Sequence, residues 1–256
     1  MSHRARKRFG QNFLHDPGVI RRIVQAIDPQ PGDHLVEIGP GQAALTLPLL
    51  QACGEMDAIE IDRDLAPLVA ERCAPHGTLH LHQADALRFD FAALRRDARP
   101  LRVVGNLPYN ISTPLLFHLL DFREHIRDMH FMLQKEVVER MAAPPGNRTY
   151  GRLSVMLQAW CRVQRLFDIG PGAFRPAPKV DSSIVRLEPL PDEVVGIADP
   201  ERFAKLVRAA FGQRRKTLRN NLKGLLDAER IAALGIDPGA RPETLSVEDF
   251  KRLAGA

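Results

Sequence analysis

The 256-residue chain carries 45% hydrophobic and 26% charged residues at a formal net charge of +5, a globular balance that excludes a disordered or fibrous polymer. Its opening, MSHRARKRFGQNF, lacks the apolar stretch of a secretory signal, and no run reaches membrane-spanning length, so a cytoplasmic protein without a membrane contact is expected. The three cysteines, Cys53, Cys73 and Cys161, stand far apart without ligand spacing, which argues against a disulfide framework and against a metal.

The elements follow in chain order. After a basic tail (Arg4, Arg6, Lys7, Arg8), HDPGVIRRIVQAI predicts a helix capped by Asp16, with Pro17 in its first turn and apolar residues at Val19, Ile20, Ile23, Val24 and Ile27. HLVEIGPG predicts a short strand entering a glycine turn, AALTLPLLQAC a helix stopped by Gly54, and MDAIEID the next strand. RDLAPLVAERC, TLHLHQAD, LRVVGNLPY, TPLLFHLLD and MHFMLQKE continue the alternation of helix and strand. Such alternation over residues 34–135 predicts an α/β fold: a doubly wound, mostly parallel, Rossmann-like sheet with helices on both faces.

GRLSVMLQAW reads as a further helix, and VQRLFDI and SSIVRLEPL as late strands joined by the proline-rich GPGAFRPAPKV. Beyond LPDEVVGIADP the pattern is purely helical: PERFAKLVRAAF, RRKTLRNNL, DAERIAALG, and SVEDFKRLAG with its capping-box pair Ser246 and Asp249. The expected division is therefore a large domain over 1–190 and a small all-helical domain over 191–256. Between Lys205 and Lys223 stand seven basic residues (Lys205, Arg208, Arg214, Arg215, Lys216, Arg219 and Lys223) and no acidic one. Together with the basic tail, this cluster points to a polyanionic partner.

The glycine turn VEIGPGQAAL puts Gly39 and Gly41 where a ligand can approach the main chain closely. Glu60 closes the next strand, where a carboxylate can accept hydrogen bonds from ribose hydroxyls. The spacing also satisfies the dinucleotide pattern with Ala44 in the last place, so a nicotinamide-dependent dehydrogenase is one alternative. Glu37 inside the turn disfavours a nearby pyrophosphate but tolerates a cationic amino-acid portion, and Asp85 of QAD suits an adenine amino group. S-adenosylmethionine fits these features better than a dinucleotide.

GNLPYNIS then ends the fourth strand of that series. A turn would need Asn106 and Pro108 but not Tyr109. A site for an exocyclic adenine amine uses all four residues. The side-chain oxygen of Asn106 and the carbonyl of Leu107, oriented by Pro108, accept the two amine hydrogens, while Tyr109 stacks on the base.

RKRFGQNFLHD, EIGPG, IEID, GNLPYNIS, LQKEVVERM, YGRLSV, PGAFRPAPKVDSS and FGQRRKTLRNNL, in order from about Lys7 to Lys223, closely resemble the ribosomal RNA adenine N6,N6-dimethyltransferases. The likeness is greatest to the bacterial group acting on two adjacent adenosines near the 3′ end of small-subunit (16S) RNA. It implies a class I methyltransferase domain, S-adenosylmethionine as donor, and an assembling 30S particle as substrate; nothing in the sequence suggests an obligate oligomer, so a monomer is expected. Asn12 and Leu14 would close over the donor, with Gly39 and Gly41 beneath its methionine portion, Glu60 on its ribose and Asp85 on its adenine. Asn106 would border both donor and target base, and Phe174 would face Tyr109 across the flipped adenine, although its sequence context alone reads as a core aromatic. Arg214, Arg215, Lys216, Arg219 and Lys223 would contact RNA. A large-subunit methyltransferase and a non-catalytic RNA-binding assembly factor are the alternatives. One departure from the family stands in QAAL, where a further glycine is usual; this stiffens the turn and bears on donor affinity.

Overall fold

A computed structural model describes residues 12–256, so the basic tail and Phe9 lie outside the described residues. The chain begins with β1 (Phe13–Leu14), α1 (Pro17–Ile27), β2 (His34–Ile38), α2 (Thr46–Cys53), β3 (Glu55–Ile59), α3 (Leu65–Cys73) and β4 (Thr78–His82). It continues with β5 (Leu101–Asn106), α4 (Ser112–Leu120), β6 (Ile126–Gln134), α5 (Lys135–Met141) and α6 (Arg152–Gln158). Then come β7 (Cys161–Ile169), β8 (Phe174–Arg175), β9 (Ser182–Pro189) and α7 (Asp192–Val195). The helices α8 (Pro200–Ala210), α9 (Leu218–Asn221), α10 (Ala228–Ala233) and α11 (Val247–Ala254) complete the chain.

Seven strands form one sheet in the order β4-β3-β2-β5-β6-β9-β7. β4, β3, β2, β5 and β6 run parallel, and β9 joins β6 antiparallel. β2 is buried along its whole length, as a strand covered by helices on both faces must be. Strand order reverses between β2 and β5, so the chain leaves the carboxyl ends of these neighbours in opposite directions and opens a crevice there.

α1 forms as its sequence predicts. Asp16 Oδ1 accepts from Val19 N at 2.9 Å, Pro17 occupies the first turn, and Ile23 and Ile27 are buried. Its carboxyl end is met by the buried Arg102 guanidinium, which donates to the carbonyls of Ile27 (2.5 Å) and Asp28 (3.1 Å) and to the carboxylates of Asp33 and Asp128. α2 starts at Thr46, later than expected, because Ala43 takes a left-handed φ of 64° that no helix continues through.

The chain divides into two compact units, one comprising residues up to Val138 with Gln164–Pro189, the other Glu139–Val163 with Leu190–Ala256. The sequence boundary at 190 is thus one of three crossings, and segment 139–163, expected in the first domain, belongs to the second unit. The physical reason is packing. α6 lies against α8 and α11, the Tyr150 and Phe211 rings meet at 6.3 Å, and Leu190 N donates to Trp160 O at 2.8 Å. RRKTLRNNL yields only the four-residue α9 in place of a longer helix. There the Asn221 amide donates to the carbonyls of Ala210, Gln213 and Lys216 and ties down an irregular loop. No helix among the described residues is long and apolar enough to cross a membrane.

Gly105 sits where β5 presses on β2: a Cβ there would lie 2.6 Å from the Ile38 carbonyl oxygen and 3.2 Å from Leu107 Cδ2. Gly105→Ala is expected to cost about 2 kcal/mol by forcing these strands apart, read as a lower denaturant midpoint. An unchanged midpoint would contradict that close approach.

Candidate active site

The crevice at the strand-order reversal is a cavity enclosing about 1050 Å³ of empty space, open solvent included. Its walls come from five places in the sequence: Asn12–Leu14, the turn Glu37–Gln42, Ile59–Ile61, Ala84–Ala86 and Asn106–Tyr109. Every residue expected to hold the donor (Asn12, Leu14, Gly39, Gly41, Glu60, Asp85 and Asn106) lines this one cavity, as do Leu107, Pro108 and Tyr109.

The turn after β2 relies on its glycines. Gly39 and Gly41 have φ of 71° and 56°, the left-handed region, and a Cβ on Gly41 would touch the Phe13 ring at 3.3 Å. Ala43, within QAAL, adopts the same handedness with a φ of 64° and accepts the strain that a side chain brings there. Glu60 pins the turn to the end of β3: its Oε2 accepts from Gly41 N at 3.2 Å and its Oε1 from Asp62 N at 2.8 Å. Burial pushes its carboxyl above the ordinary range despite these bonds.

Glu37, 2% exposed, points a second carboxyl into the same region, and its Oε2 has no hydrogen-bond partner. Burial first, and the nearby Glu60 charge in addition, raise it from the ordinary 4.5 to about 7. The Thr46 side chain opposes that shift, and the unpaired Oε2 on a residue lining the cavity suits a cationic ligand group. Asp85 is half-buried, and its Oδ1 accepts from Leu87 N at 3.0 Å, so it closes its own turn while lining the cavity.

Asn106, the last residue of β5, donates from Nδ2 to the Asn12 carbonyl at 3.0 Å. A carbonyl only accepts, so this bond determines which end of the amide faces Asn12 and turns Oδ1 away from it. Leu107 N donates to Met132 O at 3.2 Å, which ties the turn to β6. The Pro108 carbonyl accepts from Ile111 N and that of Tyr109 from Ser112 Oγ; neither bond uses the Leu107 carbonyl. Tyr109 is half-buried, with its hydroxyl 2.8 Å from Ser182 Oγ.

Phe174 stands apart from the other expected site residues. It is 3% exposed, its Cα pairs with Leu14 between β8 and β1, and its ring packs in the core cluster with Leu14, Ile23 and Ile27. It is not among the residues lining the cavity, so the core-aromatic reading describes its position here. Sequence reasoning missed Ser182, whose block KVDSS gives no spacing that would link it to Tyr109, and it missed the β1–β8 pairing, which is too short to leave a periodic pattern. In the second unit Arg214, Arg215, Lys216, Arg219 and Lys223 are all exposed. Among the described residues no cluster of side chains could hold a metal ion.

The sequence model of the family described as "Ribosomal RNA adenine dimethylase" matches residues 2–255. A protein of Nitrosococcus oceani named ribosomal RNA small subunit methyltransferase A is 59% identical over 99% of this chain and 96% of its own length. One of the same name from Aromatoleum aromaticum is 61% identical over 97% and 92%. The crystal structure of a dimethyladenosine transferase from Plasmodium falciparum superposes with a TM-score of 0.80 at 28% identity, covering 94% of this chain and 95% of that one. That of the 23S rRNA methyltransferase ErmE gives 0.76 at 25% identity over 95% and 98%.

The raised Glu37 carboxyl makes stability depend on pH. Below about 4.5 folded and unfolded chains both hold this proton; from 4.5 to about 7 only the folded chain does, so stability falls as pH rises and levels off above that, a loss of about 3 kcal/mol. Urea unfolding of wild type and Glu37→Gln across pH 4.5–7.5 should show the wild type losing that amount relative to the variant. Parallel curves would contradict it.

Proposed function

Since the chain belongs to the ribosomal RNA adenine dimethylase family, we propose that it transfers methyl groups from S-adenosylmethionine to N6 of two adjacent adenosines near the 3′ end of small-subunit rRNA, giving N6,N6-dimethyladenosine. The single observation that supports this reading is the bond from Asn106 Nδ2 to the Asn12 carbonyl on a residue that lines the cavity, which engages the donor end of the amide and not Oδ1. An exocyclic adenine amine is a poor nucleophile because its lone pair is delocalised into the ring. Asn106 Oδ1 and the Leu107 carbonyl accept both amine hydrogens, draw the nitrogen towards tetrahedral geometry and localise that pair. Tyr109 stacks on the base, which must leave its helix to arrive there.

The donor supplies a methyl group on a positively charged sulfur. As the N6–carbon bond forms, the carbon–sulfur bond breaks with its electrons remaining on sulfur, and the displaced amine proton leaves to water. No strong base is required, and orientation and hydrogen bonding carry the rate. Glu37 provides a carboxyl for the donor's cationic amino-acid portion, Glu60 one for ribose hydroxyls and Asp85 one for the adenine amine. The glycine turn lets the methionine portion lie on the main chain, and Asn12 and Leu14 cover it.

Identity near 60% over almost the whole chain to small-subunit enzymes, against 25% to the 23S enzyme, supports the small-subunit substrate. An assembling 30S particle, in the cytoplasm where it is built, is the expected setting, with the exposed basic loop of the second unit bearing on rRNA phosphates.

Incubation with labelled S-adenosylmethionine and under-methylated small subunits should yield labelled N6,N6-dimethyladenosine from two adjacent positions. Label in large-subunit RNA, or none at all, would refute the reading. Asn106→Ala should lower transfer by about 10²–10³-fold while rRNA affinity is unchanged, since it removes an acceptor and no phosphate contact; wild-type turnover would refute the acceptor role. Replacing Arg214, Arg215 and Lys216 with Ala should flatten the slope of log affinity against log salt by about 2, and an unchanged slope would show that the cluster touches no phosphate.

A further inference from the structure

Ser182 opens β9 and is 0% exposed, and its Oγ lies 2.8 Å from the Tyr109 hydroxyl, a ring that lines the cavity. The serine is carried on well-bonded backbone. Its Cα stands opposite Gln134 across the β6–β9 pair, and the neighbouring Asp181 carbonyl accepts from Lys135 N at 3.0 Å. At its other end Tyr109 is also held, because its carbonyl accepts from the Oγ of buried Ser112, the first residue of α4, at 3.1 Å. The ring is thus tethered at backbone and hydroxyl to two elements of the first unit. Burial pushes the Tyr109 phenol above its ordinary range against the opposing effect of the Ser182 bond, in which either hydroxyl can donate. With no solvent reaching Ser182, a broken tether would leave a buried hydroxyl without a partner.

The two methyl transfers make unequal demands on this arrangement. Unmodified adenine presents two N–H bonds, one for Asn106 Oδ1 and one for the Leu107 carbonyl. After the first transfer the amine keeps a single N–H, so one of the two anchors has nothing to accept. Alignment of the monomethylated base then falls mainly to the face on which it stacks, and a ring free to tilt costs most in this second step.

We propose that Ser182 is a positioning residue for the second methyl transfer: through the Tyr109 hydroxyl it fixes the plane that carries the monomethylated base. In that step the N6 lone pair bonds to the methyl carbon, the carbon–sulfur electrons stay on sulfur and the last N–H proton leaves to water. The inference rests on the adenine-N6 reading above and deepens it.

The test follows N6-monomethyl- and N6,N6-dimethyladenosine over time on under-methylated small subunits, for wild type, Ser182→Ala, Tyr109→Phe and the double variant. Each single variant should slow the second transfer relative to the first by about five-fold, the factor that ~1 kcal/mol corresponds to. The double variant should match the singles, since either change breaks the same bond. Calorimetric affinity for the donor should be unchanged. The fluorescence quenching of 2-aminopurine placed at the target position of a bound RNA should weaken in the same two single variants. A monomethyl-to-dimethyl ratio unchanged in either single variant, or losses that multiply in the double variant, overturns the positioning role. Absence of dimethyladenosine in the wild-type reaction overturns instead the reading beneath it.

Discussion

At the mouth of the cavity a main-chain carbonyl gives a side-chain amide its polarity. The Asn12 oxygen can only accept, so Asn106 offers it Nδ2, and Oδ1 takes no part in that bond. Everything else serves to hold this pair in place. Asn106 is fixed because β5 lies between β2 and β6, and because Gly105 lets β5 press on the Ile38 carbonyl. Asn12 is fixed because the next residues, Phe13 and Leu14, form β1 on β8, with Phe174 buried beneath.

The same crevice concentrates acid. Glu37 and Glu60 are both buried, and both carboxyls are raised by desolvation. Glu60 is compensated by two backbone N–H groups, whereas Glu37 Oε2 has none. A fold tolerates such an arrangement where a ligand completes it. Electrostatics of the opposite sign belong to the second unit, whose irregular loop, tied by Asn221, exposes Arg214, Arg215 and Lys216.

Much of this was legible in the sequence, and the physical reasons are specific. Alternation of strand and helix over 34–135 follows from burying a parallel sheet, so the parallel sheet and the residues at its strand ends could be placed in advance. VEIGPG, IEID, QAD and GNLPY each stand at the carboxyl end of a parallel strand, which is why they line one crevice. What escaped was contact that leaves no period. The β1–β8 pairing involves two residues on each side, Ser182 reaches Tyr109 from across the sheet, and the helical pattern of RRKTLRNNL loses to one asparagine that binds three carbonyls. The unit boundary escaped for a like reason: the packing of α6 on α8 and α11 and the meeting of the Tyr150 and Phe211 rings, which join segment 139–163 to the second unit, leave no pattern in the sequence.

The claim that Asn106 accepts from the target amine is tested most directly by a crystal structure with a non-reactive analogue of the sulfonium donor and adenosine bound together. The account predicts adenine N6 within hydrogen-bond distance of both Asn106 Oδ1 and the Leu107 carbonyl, with Nδ2 still on Asn12. A base bound with its amine directed elsewhere, or an Asn106 amide reversed to point Nδ2 at the purine, would contradict it.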